Sequence, residues 1–124
     1  MKHEGLLILS VSPVASLRHA REETLRRAGY RVLSAGSTGY AMAMMARRKF
    51  DLMVFEALPG SERDSLVAAF KSWHPLSPVL AIGTERARLV DDCLQPTLEP
   101  AVLLRRVSAL LSGAPQQIPR AAGF

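Results

Sequence analysis

Cysteine is nearly missing from this 124-residue chain: Cys93 stands alone. Without a second thiol there is no internal disulfide, which suits a reducing compartment. No Cys or His stands at ligand spacing from Cys93, and His3, His19 and His74 fall on different predicted elements, so no zinc site is expected. Long apolar runs are also lacking. None approaches the roughly 18 residues that span a bilayer, and the N-terminus carries neither a long apolar region nor a small-residue cleavage site. A soluble, cytoplasmic protein is expected. The phosphate-cradling pattern Gly-x-Gly-x-x-Gly and the Walker lysine are absent, so Gly36-Ser37-Thr38-Gly39 reads as a turn. Ser10, Ser12 and His19 do not form a Gly-x-Ser-x-Gly nucleophile elbow, and no internal repeat is visible.

What is present is an ordered composition, 48% hydrophobic and 22% charged. The length suits one domain with a single core. That domain is placed at residues 1–113, with the Pro-, Gly- and Ala-rich residues 114–124 as a flexible C-terminal tail. Sixteen Lys and Arg against eleven Asp and Glu give a formal charge of +5. The excess is mostly arginine, clustered at Arg18, Arg21, Arg26, Arg27 and Arg31, again at Arg47, Arg48 and Lys49, and at Arg105 and Arg106. Such clusters are either solvated helix faces or surfaces for acidic proteins, phosphates or nucleic acid.

Hydrophobic period supplies the elements. Leu6-Leu7-Ile8-Leu9 is a short continuous run that reads as a strand buried on both faces. A helix follows, capped by Ser12 or Ser16, with Leu17, Ala20, Thr24, Leu25 and Ala28 inward and Gly29 as its stop. Tyr30 to Ala35 is the second strand. Ala41, Met44, Met45 and Arg48 recur at helical spacing, with Met42 on the outer side. Leu52 to Phe55 forms a third strand that delivers Glu56 to its C-terminal end, where Pro59-Gly60 turns the chain. Ser61 can cap a helix with Leu66, Val67, Phe70 and Trp73 inward, the two aromatics being read as core. Val79 to Ile82 is a fourth strand and Cys93-Leu94 a very short fifth. Thr97 or Glu99 opens a last helix with Pro100 in its first turn and Val102, Leu103, Val107, Leu110 and Leu111 inward. Alternating strands and helices at this spacing predict an α/β fold: a flavodoxin-like, doubly wound, five-stranded parallel sheet of order 2-1-3-4-5.

This layout, with Gly29-Tyr30-Arg31-Val32 closing the first helix and Phe50-Asp51-Leu52-Met53-Val54 opening the third strand, resembles the CheY-like receiver domain of bacterial two-component response regulators. The likeness runs from Leu6 to about Leu111. It implies a domain that accepts a phosphoryl group from a histidine kinase on a strand-three Asp, with bound magnesium.

At each position that the family uses for this chemistry the chain departs from the pattern. The acidic metal-holding pair falls on Ser10 and Val11, although magnesium wants hard oxygen ligands at roughly 2.0–2.1 Å and usually a carboxylate. The phosphoacceptor falls on Glu56, whose extra methylene moves the carboxylate outward by roughly 1.5 Å. The switch hydroxyl falls on Gly83, with Thr84 one residue late, and the lysine before the proline falls on Gln95. A degenerate pseudo-receiver is therefore expected, without magnesium and without enzymatic activity. Glu56 is then either a fixed mimic of the acidic state or a solvated strand-end residue.

The span from Gly83 to Gln95 is also short. It covers twelve steps, near the minimum of about 10–12 residues for a crossover, so the fourth family helix is expected to be a turn over Glu85 to Leu89 or to be missing. Apolar surface beside strands four and five should then be thinly covered and serve as an interface, including one for a homodimer. The expected function is that of a stand-alone, atypical signalling protein acting by phosphorylation-independent protein–protein interaction, with a histidine kinase or another regulator as partner. The expected partner surfaces are Gly83 to Gln95, the loops around Ser10 and Glu56, and the arginine face of the first and last helices. Two alternatives stand beside it: phosphoryl acceptance at Glu56 or a nearby hydroxyl, and a less favoured role as a basic nucleic-acid-binding accessory.

Overall fold

Leu7–Val11, Leu52–Glu56 and Val79–Ile82 are buried at every position, as strands covered on both faces must be. In the computed structural model, which describes residues 5–83, 89–97 and 99–113, they form the middle of one parallel sheet. The elements run β1 (Leu7–Val11), α1 (Ala15–Arg27), β2 (Arg31–Ala35), α2 (Thr38–Arg47), β3 (Leu52–Glu56), α3 (Gly60–Trp73), β4 (Val79–Ile82), β5 (Asp92–Leu94) and α4 (Pro100–Leu111). Strand order is β2-β1-β3-β4-β5, the doubly wound arrangement that the sequence pattern predicts. None of the described helices is long and apolar enough to cross a membrane.

The pleat sends alternate side chains to opposite faces. Leu7, Leu9, Val11, Met53, Phe55, Val79 and Ala81 pack with Ala41 and Met45 of α2 and with Leu66, Val67 and Phe70 of α3. Ile8, Val32, Leu52, Val54, Leu80 and Ile82 pack with Leu25 of α1 and with Leu103, Val107 and Leu110 of α4. Register places Ser10 opposite Val54, and Glu56 opposite Ile82. Ser10 and Glu56 therefore share the face covered by α1 and α4, whereas Val11 belongs to the other.

Several expectations need correction. Trp73 is 57% exposed and no core residue: the buried stripe of α3 runs from Leu66 through Phe70 to His74, its C-cap, and Trp73 falls beside that stripe. Met42 is half-buried against the core instead of lying on the outer side of α2, which ends before Arg48. Neither Ser12 nor Ser16 caps α1: Val14 stands at the N-cap without a side-chain bond, and the Ser12 hydroxyl accepts from Val14 N. Pro59, not Ser61, precedes α3. Between β4 and β5, residues 84–88 lie outside the described residues, so the expected turn at Glu85 to Leu89 is described only at Leu89, which is non-helical. All four residues of β4 are buried, and thin cover is confined to β5, where Asp92 and Cys93 are half-buried. The tail from 114 onward also lies outside the described residues.

His74 closes α3 wedged edge-on against Phe50 and Phe70, with ring centroids 6.1 Å and 5.1 Å away. Its Nε2 is buried without a hydrogen-bond partner among the described residues. Burial lowers its pKa below the ordinary 6.5, against a smaller opposing contribution from the Met45 backbone. As pH falls the unfolded chain takes up this proton first. The stability carried by neutral His74 is thus full above about pH 6.5 and declines below it until the folded-state pKa is passed. Urea unfolding at pH 8 and pH 5.5 should show a larger acid loss in the native chain than in His74→Gln; equal losses would remove His74 as the cause.

Candidate functional site

Glu56 ends β3 at the carboxyl edge of the sheet, where open α/β folds gather their chemistry. It is not solvated. Its residue exposure is 6%, and both carboxylate oxygens are taken by one side chain: Arg21 Nε donates to Oε1 at 2.8 Å and Nη2 to Oε2 at 2.8 Å. Arg21 Nη1 donates to the Thr97 carbonyl at 2.6 Å. The guanidinium fork thus fastens α1, the end of β3 and the loop before α4 at one point. Arg21 is itself 5% exposed, so the charge pair is enclosed.

Arg21 was hidden in sequence among its neighbouring arginines. The signal that could have found it is its spacing, for Leu17, Arg21, Leu25 and Ala28 form a single inward stripe on α1 with one charge inside it. A buried charge demands a partner, and Glu56 is the carboxylate within reach. The fork geometry makes arginine suited to this place, since lysine would reach only one oxygen as a point charge.

The other sequence-selected positions do not converge on Glu56. Ser10 is buried and shares its face, but no side-chain hydrogen bond of Ser10 is found among the described residues. Val11 packs into the α2–α3 core. Gly83 closes the β4–β5 edge: its N–H donates to the Leu94 carbonyl at 2.7 Å, its φ is +74°, and an added Cβ would lie 3.2 Å from Pro96 Cγ. A left-handed turn against a proline ring requires glycine there. Gln95 is exposed and unengaged among the described residues, and Thr84 lies outside them. Ala57, next after Glu56, has φ 65°, a conformation costing a non-glycine residue about 1–2 kcal/mol.

The arginine face expected on α1 is largely committed within the molecule. Arg18 donates to the Ser12 carbonyl, Arg26 and Arg27 pair with Glu22 and Glu23 one turn earlier, and Arg21 holds Glu56. On α4, Arg106 grips the Asp92 carboxylate and the Cys93 carbonyl, each at 3.0 Å, which pins the edge strand.

No protein-family model and no curated protein sequence matches this chain. Solved structures do. Vibrio cholerae chemotaxis protein CheY4 aligns with a TM-score of 0.76 at 23% identity, over 85% of this chain and 98% of that one. A CheY-like response regulator receiver domain protein from Methanospirillum hungatei JF-1 aligns at 0.79 and 20% identity, over 87% and 94%. The receiver domain of the hybrid histidine kinase CckA aligns at 0.74 and 26% identity, over 85% and 98%. The fold is that of a response-regulator receiver domain. Within that receiver fold the carboxylate at the end of β3 meets an arginine from α1, and the tie to Thr97 extends the contact to the loop after β5.

Removing one partner of a buried pair strands the other charge, which costs about 3–5 kcal/mol, whereas replacing both by apolar residues is often neutral. Arg21→Met and Glu56→Leu should each lose stability of that order in urea unfolding. The double variant should recover most of the loss, and simple additivity would mean that the two side chains are not a unit.

Proposed function

We propose that this chain is a receiver-fold signalling module of the two-component type that acts by protein–protein contact without phosphoryl transfer. The observation that carries this reading is the enclosed Arg21–Glu56 pair. A phosphoacceptor must present a free carboxylate oxygen for in-line attack, and positioning supplies most of the rate. Each oxygen of Glu56 accepts from the fork, and the group is shielded from solvent.

The donor set does not fit magnesium. Ser10 offers one hydroxyl, Val11 an isopropyl group turned to the other face, and the Glu56 carboxylate already carries its cation. The pair supports the reading of Glu56 as a permanent acidic mimic: charge and countercharge are supplied in cis and do not depend on a kinase. Through Thr97 the clasp holds the loop before α4 in one position, so the surface near it is offered to partners in a single form. Partners of the expected kind are a histidine kinase or another regulator in the cytoplasm, met by binding and not by catalysis.

Beryllium fluoride with magnesium, followed by calorimetry, should give no magnesium-dependent binding. Incubation with a small phosphodonor should leave the intact mass unchanged. A one-phosphoryl adduct that disappears in Glu56→Gln would overturn the proposal.

A further inference from the structure

The opposite end of the sheet carries a surface unconnected with Glu56. Because α2 and α3 run back against the strands, their C-termini meet there: Arg47, Arg48 and Lys49 after α2, and Trp73 with Pro75 and Leu76 after α3. Trp73 is 57% and Leu76 96% exposed, although large apolar side chains usually find cover. Beside them opens a cleft of about 510 Å³ with a mixed lining, in which Leu6, Pro75, Leu76, Leu110 and Leu111 stand among charged residues that include Lys49.

The charges around this cleft are unbalanced. Arg47, Arg48 and Lys49 are exposed and meet no carboxylate among the described residues. Among the described residues, the acids that line the cleft are engaged. The Asp51 carboxylate accepts from Leu7 N at 2.8 Å, and that of Asp91 accepts from both Lys71 Nζ and Val79 N, each at 2.8 Å. Lys49 thus lines the cleft, its chain neighbours Arg47 and Arg48 add two cations without a carboxylate partner among the described residues, and the cleft's own carboxylates fix the starts of β1 and β4.

We propose that this surface binds an acidic, amphipathic segment of a partner protein, with an aliphatic or aromatic side chain seated in the cleft and carboxylates on Arg47, Arg48 and Lys49. Helix-in-groove recognition joins these features: apolar anchors supply affinity, and rim charges orient the encounter. A nucleic acid would gain from the cations but would leave Leu6, Leu76, Leu110 and Leu111 of the cleft without an apolar partner. A flat anionic bilayer would leave the concavity unfilled. The surface does not depend on how Glu56 is read, so a phosphoryl adduct at Glu56 would overturn that reading and leave this one standing.

Trp73 is the only tryptophan and stands two residues before Pro75 of the cleft lining, so its emission serves as a nearby reporter of binding. The probe is a synthetic 15-residue peptide of Asp and Glu with Leu at every third or fourth position and no aromatic residue, added to the full chain at low salt. A saturable blue shift is expected. Arg48→Glu with Lys49→Glu should weaken binding about tenfold or more, and Leu76→Ser about tenfold. Both sets lie on exposed positions, and circular dichroism should confirm that the fold is kept. No saturable shift, equal affinity in both variants, or a shift given by phosphatidylserine vesicles or a DNA duplex but not by the peptide would each overturn the proposal.

Discussion

Taking a guanidinium and a carboxylate out of water costs several kcal/mol for each ion, and only close, fully bonded geometry offsets it. Arg21 and Glu56 meet that condition with two parallel contacts of 2.8 Å, and a third bond reaches the Thr97 carbonyl. The rest of the carboxyl end is arranged around this pair. Glu56 has to leave β3 on the α1–α4 face, Arg21 has to interrupt the apolar stripe of α1, and the chain after β5 has to bring Thr97 back over both. The pair therefore connects three elements that are far apart in sequence.

On the proposed reading, the same constraint leaves the other positions at this end to answer to local structure. Arg21 supplies Glu56 with its cation from α1, and Gln95 is exposed. Gly83 answers to backbone geometry, since its φ of +74° favours glycine and an added Cβ would stand a tight 3.2 Å from Pro96 Cγ. Val11 has become core. Gly83 and Val11 thus each have a structural reason within the fold itself.

The sheet was legible because buried parallel strands are continuous apolar runs: Val79–Ile82 has the predicted bounds, and the strand order follows from the alternation of elements. The helix ends were less so. Trp73 stands three residues after Phe70, at core spacing, but His74, four residues after it, takes the inward place, and periodicity alone does not choose between the two. At the site, Glu56 was legible as the strand-end carboxylate, while its partner was not. The pairing spans 35 residues, and one buried arginine among many solvated ones is marked only by its place in the inward stripe. Charge clustering misled in the same way, because it cannot separate Arg26 and Arg27, paired along their own helix, from Arg47 and Arg48, which meet no carboxylate among the described residues.

If Arg21 permanently holds the Glu56 carboxylate, its Nε–H is shielded from solvent and indifferent to magnesium. Nitrogen-resolved NMR of the arginine side chains measures this directly. Arg21 should give a sharp Nε–H signal that exchanges far more slowly than that of exposed Arg105 and does not shift as magnesium is added to tens of millimolar. Fast exchange at Arg21, or a saturable magnesium shift that also reaches Ser10 and Glu56, would contradict a closed site and restore an open metal-binding carboxylate.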